Sequence, residues 1–350
     1  MSGDLPFPVY FVFKPFPRAL GELLESCGER PADEQVDEVY KFFASQLDDT
    51  VMTAPINWAL QSFVQLKSLG LDVHLVPDFQ PEQICVAAYV QLPTRAMLSS
   101  YVVACQYDVP RPGLCHQRIV QNQLQVAGPE DHWVCHWPQP GIKPRRNDRG
   151  DRLERLVFKG RRKYLADEFQ QPEFTSGLGR LGIELVTAPS TGDFMSQWES
   201  WKDYREADLV LAVRDVVPEK VNSKPPSKLI NAWLADCPAL LGPEPAFDQL
   251  RESPLDYLEV STASDVLDAI VDLKRQPGKY RAMIEQGRKR ASEVTAEALA
   301  GQWQRILSGP VSQGYLRWRN ASVFRRKVGR AFDAAIGRWR HRRSRRAWPD

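Results

Sequence analysis

The chain has 350 residues, of which 43% are hydrophobic and 26% charged, the composition of an ordinary globular protein whose length fits two domains. No apolar run approaches the roughly 20 residues that a membrane-spanning helix needs, and the acidic, proline-bearing start predicts that no signal peptide is present. Six cysteines lie far apart and form no CxxC pair, so we expect reduced, mostly buried thiols and a cytoplasmic location.

The formal net charge of +2 hides an uneven distribution. Residues 311–350 contain 12 Lys or Arg against two Asp, a net charge of +10, whereas the first 310 residues have 34 basic and 42 acidic side chains, a net charge of −8. A mildly acidic body followed by a strongly basic tail predicts that the tail has a negatively charged partner surface.

The first half of the chain alternates between helical and strand patterns. Residues 1–47 contain a strand and the acidic helix DEQVDEVYKFFASQL, whose place in the fold the pattern does not decide. VMTAP then predicts a short strand, and NWALQSFVQLKSLG predicts an amphipathic helix that ends at Gly70. Five strand-like segments follow: DVHLVP, QICVAAYV, YVVACQY, HQRIVQNQ and HWVCHW. Several are apolar on both faces, which is typical of a parallel sheet covered by helices.

Residues 138–150, PQPGIKPRRNDRG, break all periodicity and indicate a hinge or linker. The alternation then restarts, with ERLVFKG, IELVTA, EADLVLAVR and PALLG as strands and with helices in LINAWLA and in the segment that ends before Pro277. We therefore predict domains at residues 1–145 and 146–310, and a basic amphipathic tail at 311–350.

One stretch of the second half combines two lysines with a helix start. Residues 224–242 read KPPSKLINAWLADCPALLG, so Lys224 and Lys228 lie in a proline-rich loop and in the first helical turn. The carboxyl ends of parallel strands are where such sheets bind ligands, and a helix start with nearby ammonium groups favours a phosphate or diphosphate. The alternative is that both lysines are simply solvated.

The order of elements over residues 153–308 resembles the nucleotide-sugar half of the GT-B glycosyltransferases, most closely their family 4, or group 1, enzymes. The segments that match are YREADLVLAVR with Asp208, the NAWLADCP stretch, and Gly160 and Arg161 after the first strand. The amino half is similar only in its alternating pattern. The resemblance implies a GT-B architecture, in which two doubly wound parallel-sheet (Rossmann-like) domains face a central cleft.

The resemblance also implies residues that hold the donor diphosphate. These are Gly160, Arg161, Lys163, Lys224 and Lys228, because a glycine lets the backbone approach an anion and an arginine can bind phosphate through two hydrogen bonds.

The chain departs from the family pattern at the carboxylates of the donor site. Asn231 and Ser223 stand where family 4 enzymes have a Glu pair, and Asn231 can still bond a ribose hydroxyl. Glu244 is the remaining carboxylate that could reach the sugar or the ribose, or it is an exposed acid in a turn.

Candidate acceptor and catalytic residues come from the first half. Asn57 and Trp58 follow the predicted first strand and could contact an acceptor, although Trp58 also suits core packing. Asp108, His116 and His136 are candidate catalytic bases, and Asp108 before proline also suits a turn.

Other kinds of site find little support in the sequence. A metal site at Cys115, His132, Cys135 and His136 does not fit ligand spacing, so neither a metal nor a cofactor is expected. No HExxH, GxSxG, Walker or GxGxxG motif occurs.

The tail can be drawn as a helix with one apolar stripe and arginines on the other face; the stripe is Phe324, Val328, Phe332, Ile336 and Trp339. This pattern is typical of a helix lying on an anionic membrane, and it predicts contact through residues 315–346. Packing back onto the amino domain and binding of RNA are the alternatives, but without an aromatic sheet platform we expect no nucleic-acid partner.

We therefore predict a cytoplasmic, peripheral-membrane glycosyltransferase that moves a sugar from a nucleotide-diphosphate donor to a glycan or lipid-linked acceptor. The alternatives are a GT-B-shaped binding or scaffold protein that has lost turnover, and a nucleotide-sugar epimerase or phosphorylase.

Overall fold

The structure is a computed structural model, and it describes residues 4–14, 16–28, 30–44, 55–92, 96–187, 194–215, 218–322 and 339. The chain divides into two compact units. The first unit contains the chain up to Trp137, residues 223–225, and the chain from Ala296 onward. The second unit contains residues 138–222 and 226–295.

Eleven strands occur in the described residues. They are β1 (Val9–Val12), β2 (Val73–Val76), β3 (Ile84–Ala88), β4 (Tyr101–Gln106), β5 (Gln117–Val120), β6 (Asp131–Trp133), β7 (Arg155–Phe158), β8 (Glu184–Thr187), β9 (Leu209–Ala212), β10 (Ala239–Leu241) and β11 (Leu258–Glu259).

Twelve α-helices occur in the same residues. They are α1 (Arg18–Cys27), α2 (Ala32–Ala44), α3 (Ser62–Ser68), α4 (Pro172–Arg180), α5 (Phe194–Lys202), α6 (Pro218–Val221), α7 (Ser227–Leu234), α8 (Pro245–Asp248), α9 (Ala263–Arg275), α10 (Pro277–Ala291), α11 (Ala296–Ile306) and α12 (Ser312–Asn320). Two π-helical segments, Ile56–Gln61 and Leu307–Val311, precede α3 and α12. Short 3₁₀ turns occupy Tyr89–Gln91, Ala96–Ser99, Gln123–Gln125, Asn147–Arg149, Arg162–Tyr164 and Asp167–Gln170.

The first unit contains a six-stranded sheet in the order β2-β1-β3-β4-β5-β6, and every strand pair in it is parallel. The first strand of the chain pairs with both β2 and β3, so it is an interior strand. Its apolar sequence suits that place, because an interior strand of a parallel sheet is buried on both faces. The structure therefore places the segment whose position the sequence left open, and it confirms the acidic helix as α2.

The predicted strand VMTAP is different. Residues 51–54 lie outside the described residues, and Pro55 already belongs to the helix that continues through Ile56–Gln61 into α3. That helix ends near Gly70, as predicted, and Gly70 has a φ of 75°, a left-handed conformation that glycine adopts without strain.

The second unit contains a five-stranded sheet in the order β11-β10-β9-β7-β8, again entirely parallel. Its core is a cluster of apolar side chains from the strands and from helices α4, α9 and α10. The predicted strands of this half are all confirmed, because each predicted apolar run forms one of the strands of the sheet.

Residues 138–150 do not behave as a free linker. Arg145 and Arg149 are buried in the second unit, where both donate hydrogen bonds to the fully buried carboxylate of Asp208 at 2.7–3.2 Å. Asp208 also accepts the backbone N–H groups of Glu154 and Arg155. Burial would raise the pKa of Asp208, but the hydrogen bonds from Arg149 and the backbone lower it below its usual range. The predicted hinge is therefore part of the second unit, which begins at Pro138 rather than 146.

The C-terminal helices α11 and α12 belong to the first unit. Trp303 of α11 lies 6.1 Å from Phe11, 6.4 Å from Trp58 and 6.5 Å from Trp137, measured between ring centroids. The first unit therefore takes residues that the sequence had assigned to the domain 146–310. The apolar stripe of the tail, from Phe324 to Ile336, lies outside the described residues, whereas Trp339 is described and exposed.

All six cysteines are free thiols, and all but Cys115 are buried. The structure agrees with the prediction of reduced, mostly buried thiols. Among the described residues, no helix combines the length and apolar character that crossing a bilayer requires.

Candidate functional site

The carboxyl ends of three neighbouring strands in the second sheet bring two basic side chains and one carboxylate together. Lys159 directly follows β7, Arg214 follows β9 by two residues, and Glu244 follows β10 by three. These strands are adjacent in the order β10-β9-β7, so the segments that leave them lie side by side. In open parallel sheets this edge is where ligands bind, and here we call it the anion-site edge.

Gly160 lets the chain turn tightly after β7. A Cβ atom at this position would lie 3.0 Å from Cζ of Phe158 and 3.8 Å from Nζ of Lys228. A larger side chain would therefore press on the core ring and fill the space beside the ammonium group. The predicted role of Gly160, close approach of the backbone to an anion, fits this geometry.

Lys228 lies in the first turn of α7, with its Nζ donating a hydrogen bond to the backbone carbonyl of Lys159. The residue before this helix is Pro226, which provides no side-chain cap; its carbonyl accepts the N–H groups of Leu229 and Ile230, so the N–H groups of Ser227 and Lys228 are the candidates for a ligand. Burial and the nearby cations Arg214 and Lys159 lower the pKa of Lys228 to about 7, although Glu244 opposes that change.

The low pKa of Lys228 means that keeping its amine protonated costs free energy in the protein alone. A bound anion would favour the protonated amine. A bound diphosphate would supply negative charge beside Nζ and would raise the pKa of Lys228. Lys228 is therefore suited to respond to an anion.

Lys159 is hydrogen-bonded both to Lys228 and to the segment at residues 200–203. Its side chain is 7% exposed, and Nζ donates to the backbone carbonyls of Ser200, at 2.8 Å, and of Asp203, while lying 4.9 Å from the centre of the Tyr204 ring. Burial lowers the pKa of Lys159 to about 8. Because its own carbonyl accepts the hydrogen bond from Lys228, Lys159 connects the loop at residues 200–204 to the anion-site edge.

Glu244 is not the exposed turn acid that one interpretation of the sequence expected. Its side chain is 5% exposed, and Oε2 lies 3.4 Å from Nη1 of Arg214. A buried carboxylate held by a guanidinium can accept a hydrogen bond from a hydroxyl of a sugar or ribose.

Sequence reasoning missed Arg214 and Lys159. Arg214 follows the apolar run LVLAV of β9, and Lys159 follows RLVF of β7. A basic residue directly after a buried apolar strand was the sequence pattern that could have identified both.

The remaining donor candidates of the second unit differ in how well they are placed. Arg161 is partly buried and its Nε donates to Gln197 Oε1 at 3.3 Å, so it stands next to Gly160 with a defined partner. Lys163 is exposed and lies 5.1 Å above the Tyr164 ring. Asn231 is buried, and its Oδ1 accepts the backbone N–H of Gln139 at 3.1 Å, which occupies the oxygen that was expected to face a ribose.

Lys224 does not join Lys228. Residues 223–225 belong to the first unit, where Lys224 forms an ion pair with Asp108 just after β4. Gln121 and Asn122, just after β5, donate to the backbone carbonyls of Ser223 and Lys224 at 2.8 and 3.0 Å. The structure therefore places the two lysines of one short loop in different units, and it gives Asp108 a cationic partner.

The two candidate histidines occupy different edges of the first sheet. His116 precedes β5, so it lies at the amino ends of the strands, where its Nδ1 accepts the backbone N–H of Val102 at 2.8 Å and its ring stacks on Tyr101 at 4.4 Å. His136 follows β6, and its Nδ1 lies 2.7 Å from the carbonyl of Trp137, so Nδ1 carries the proton. The structure does not bring His116 to the strand ends that present Asp108.

Asn57 and Trp58 are core residues rather than an acceptor surface. Trp58 is 1% exposed and packs edge-on against His136, with 5.8 Å between ring centroids. The amide of Asn57 is also buried and donates to Gln61 at 3.1 Å. The prediction that Asn57 and Trp58 contact an acceptor does not agree with the structure, because both side chains are buried.

The described residues contain no group of three or more His, Cys, Asp or Glu side chains placed to hold a metal ion. What the anion-site edge can do is electrostatic. Its four cations, Lys159, Arg161, Arg214 and Lys228, and the helix start of α7 can hold and neutralise a phosphate or diphosphate.

The chain matches no protein-family model and no curated protein. Among solved structures, AviGT4, a glycosyltransferase involved in avilamycin A biosynthesis, aligns over 87% of this chain and 99% of its own at 12% identity, with a TM-score of 0.52. HepE from Anabaena, in complex with UDP and glucose, aligns over 86% of this chain and 99% of its own at 11% identity, with a TM-score of 0.47. Sucrose-phosphate synthase from Thermosynechococcus elongatus aligns over 85% and 81% at 12% identity, with a TM-score of 0.44.

The likeness to AviGT4, together with two parallel sheets of six and five strands, shows that the chain has the GT-B fold. The predicted fold class is confirmed. At 12% identity the similarity shows the fold but not the activity, which depends on the residues of the site.

Proposed function

We propose that the protein is a glycosyltransferase that uses a nucleotide-diphosphate sugar, with the donor diphosphate bound at the anion-site edge. The observation that carries this proposal is the position of Lys228 beside Gly160 at the start of α7, with Arg214 close enough to lower its pKa. Several positive charges held close together at the carboxyl edge of a parallel sheet favour binding of an anion there.

The chemistry that these residues supply is stabilisation of the leaving group. Negative charge develops on the diphosphate as the bond to the sugar breaks, and Arg161, Arg214 and protonated Lys228 stabilise that charge. Glu244, held by Arg214, is the carboxylate that we assign to the sugar or ribose hydroxyls. If the reaction inverts the anomeric centre it needs a base; of the candidates, Asp108 and His136 follow strands of the first sheet at their carboxyl ends.

The acceptor that we propose is a glycan or lipid-linked molecule at the surface of an anionic membrane. Support comes from the charge of the tail, with 12 Lys or Arg and two Asp in residues 311–350. Each base near an anionic bilayer contributes about 1 kcal/mol of attraction. The protein would then be a cytoplasmic, peripheral-membrane enzyme that binds through residues 315–346.

The test of this proposal is donor binding followed by turnover. Arg161→Ala and Arg214→Ala should each weaken binding of a nucleotide sugar by roughly 10- to 100-fold, since a charge-assisted hydrogen bond contributes about 1.5–3 kcal/mol. Arg180→Ala, which removes an exposed guanidinium at the end of α4, is the matched control and should leave binding unchanged. Calorimetric titration with a panel of nucleotide sugars measures this, and unchanged affinity in both site variants would refute the donor site.

Turnover separates the enzyme from the alternatives. The wild type, given its best-binding nucleotide sugar, should release nucleoside diphosphate, and more rapidly with an acceptor extract. A binding or scaffold protein would bind tightly without release, an outcome that the Asn231 substitution of the family Glu makes worth testing. An epimerase would change the sugar while it stays on the nucleotide, and a phosphorylase would need inorganic phosphate.

A further inference from the structure

A cavity of about 650 Å³ lies in the first unit, and its lining contains no residue of the anion-site edge. It is lined by α1, α3 and β2, with contributions from Phe16 before α1 and Gln35 of α2. Ligand pockets commonly have volumes of about 300–1,000 Å³, so this cavity is large enough for a small organic molecule.

The cavity lies nearer the amino ends of the strands. Helix α1 follows β1 and helix α3 leads into β2, so the last turns of both helices point toward the ends at which these parallel strands begin. Gly28, Lys67 and Ser68 come from the ends of these helices, and Val73 begins β2. Asp108 and the segment that holds Lys224 lie at the opposite, carboxyl ends. Phe16 follows the carboxyl end of β1, but the lining includes neither Asp108 nor the segment that holds Lys224.

Part of the lining is apolar. Phe16, Leu24, Phe63 and Leu75 are only partly buried, and Val64 is buried among them. Partly exposed aromatic and aliphatic side chains that face one space gain free energy when an apolar group covers them. This wall is suited to a hydrocarbon chain.

The remaining lining is charged, with a positive balance. Arg30 and Lys67 contribute two cations, and neither pairs with a carboxylate in the described residues. Glu25 contributes one negative charge, so the described lining residues have a formal balance of +1 before His74 is counted. The imidazole of His74 is held by Asp72 at 2.9 Å and stacks on Tyr10 at 4.9 Å. Cations that form no ion pair with a described carboxylate, at the edge of an apolar space, complement a molecule with a hydrocarbon chain and an anionic head.

We propose that this cavity binds a soluble, single-chain anionic amphiphile, such as a fatty carboxylate or an alkyl phosphate. The chain lies against Phe16, Leu24 and Phe63, and the head lies at Lys67 and Arg30. The site does not depend on glycosyl transfer, because it shares no residue with the anion-site edge.

The experiment uses four ten-carbon probes that differ only in the head: decyl phosphate, decanoate, decanol and decyltrimethylammonium, each titrated calorimetrically as a monomer into the full chain. Decyl phosphate and decanoate should bind more tightly than decanol, and the cationic probe most weakly. Lys67→Ala and Arg30→Ala should weaken the anionic probes by about threefold to tenfold and leave decanol unchanged. Lys289→Ala, on the exposed face of α10, is the matched control and should change nothing.

Two further variants test the geometry in opposite directions. Glu25→Gln removes the negative charge of the lining and should strengthen binding of decyl phosphate while leaving decanol unchanged. Leu24→Trp fills the cavity and should weaken all four probes; because Leu24 is only partly buried, the variant should fold, which its circular dichroism and thermal melt will show. No binding of decyl phosphate by the wild type, equal affinity for decanol, or unchanged binding in a folded Leu24→Trp variant would each overturn the proposal.

An anionic head can also belong to a bilayer lipid, and vesicles distinguish the two sources. Co-sedimentation with phosphatidylglycerol vesicles should be the same for the wild type and Lys67→Ala, since the cavity takes a monomer. A loss of vesicle binding in Lys67→Ala would overturn the assignment to a soluble amphiphile.

Discussion

The pKa of Lys228 makes donor binding depend on pH in a way that can be calculated. If a diphosphate binds only to the protonated amine, the apparent dissociation constant is inversely proportional to the fraction of Lys228 that is protonated. With a pKa of about 7, that constant increases by about 25-fold between pH 6.5 and 8.5, equivalent to about 1.9 kcal/mol. Below pH 6.5 the amine is charged and binding should no longer depend on pH.

The perturbation is Lys228→Arg. An arginine keeps its charge throughout this range, so the variant should bind with an affinity that is nearly constant from pH 6.5 to 8.5. Any slope that remains above pH 8 would report Lys159, whose pKa is about 8 and which the variant retains. Lys228→Ala is the second variant, and it should bind weakly at every pH.

The assay is calorimetric titration with UDP-glucose, or whichever nucleotide sugar binds best. Its diphosphate is esterified at both ends and does not titrate in this range, so the slope belongs to the protein. Repeating the titration at pH 7.5 in buffers of different ionisation enthalpy should show proton uptake by the wild type and much less by Lys228→Arg, which retains only Lys159. Wild-type affinity that is independent of pH, or an unchanged slope in Lys228→Arg, would refute the reasoning.

Three further changes test the architecture and the tail. Gly314→Ala should lower the free energy of unfolding, measured by urea denaturation, by about 1–3 kcal/mol, because the new methyl group would overlap the Tyr101 hydroxyl; a neutral or stabilising result would contradict this packing. Asp208→Asn should cost about 3–5 kcal/mol by the same measurement, since buried guanidinium groups lose their counter-charge; a loss below 1 kcal/mol would show that the network contributes little. Replacing Phe332 and Ile336 by Ser should leave weak vesicle binding that 0.15 M salt removes, because screening then acts over about 8 Å and no apolar burial remains; salt-resistant binding would contradict the role of the stripe.

The cleanest success of sequence reasoning is the pair of parallel sheets. Runs such as ICVAA and LVLA are apolar at every position, and each became a strand buried on both faces. Gly160 and Lys228, both predicted to bind the donor diphosphate, lie close together, because a loop after one strand and a helix start after its neighbour lie at the same edge of the sheet; their role in binding stays a prediction.

Errors arose where a side chain's partner is distant in the sequence. Lys224 was grouped with Lys228 because only four positions separate them, yet its ion-pair partner is Asp108, 116 positions away. Residues 138–150 lack periodicity and were predicted as a linker. Arg145 in this segment is buried and donates a hydrogen bond to Asp208, which lies 63 positions further along the chain. Trp58 was predicted as a possible acceptor contact. In the structure it packs against Trp303, which belongs to the helices from Ala296 onward.

The sequence by itself determined the strands, most helices and the edge of the sheet at which an anion can bind, because hydrophobic period and helix starts depend on neighbouring residues. The tertiary structure alone decided which charges meet, and therefore which lysine has a pKa of about 7 and which carboxylate is held by Arg214. The physical reason is that burial and Coulomb interaction depend on distance in space, and two residues far apart in the chain acquire that distance only when the sheets assemble.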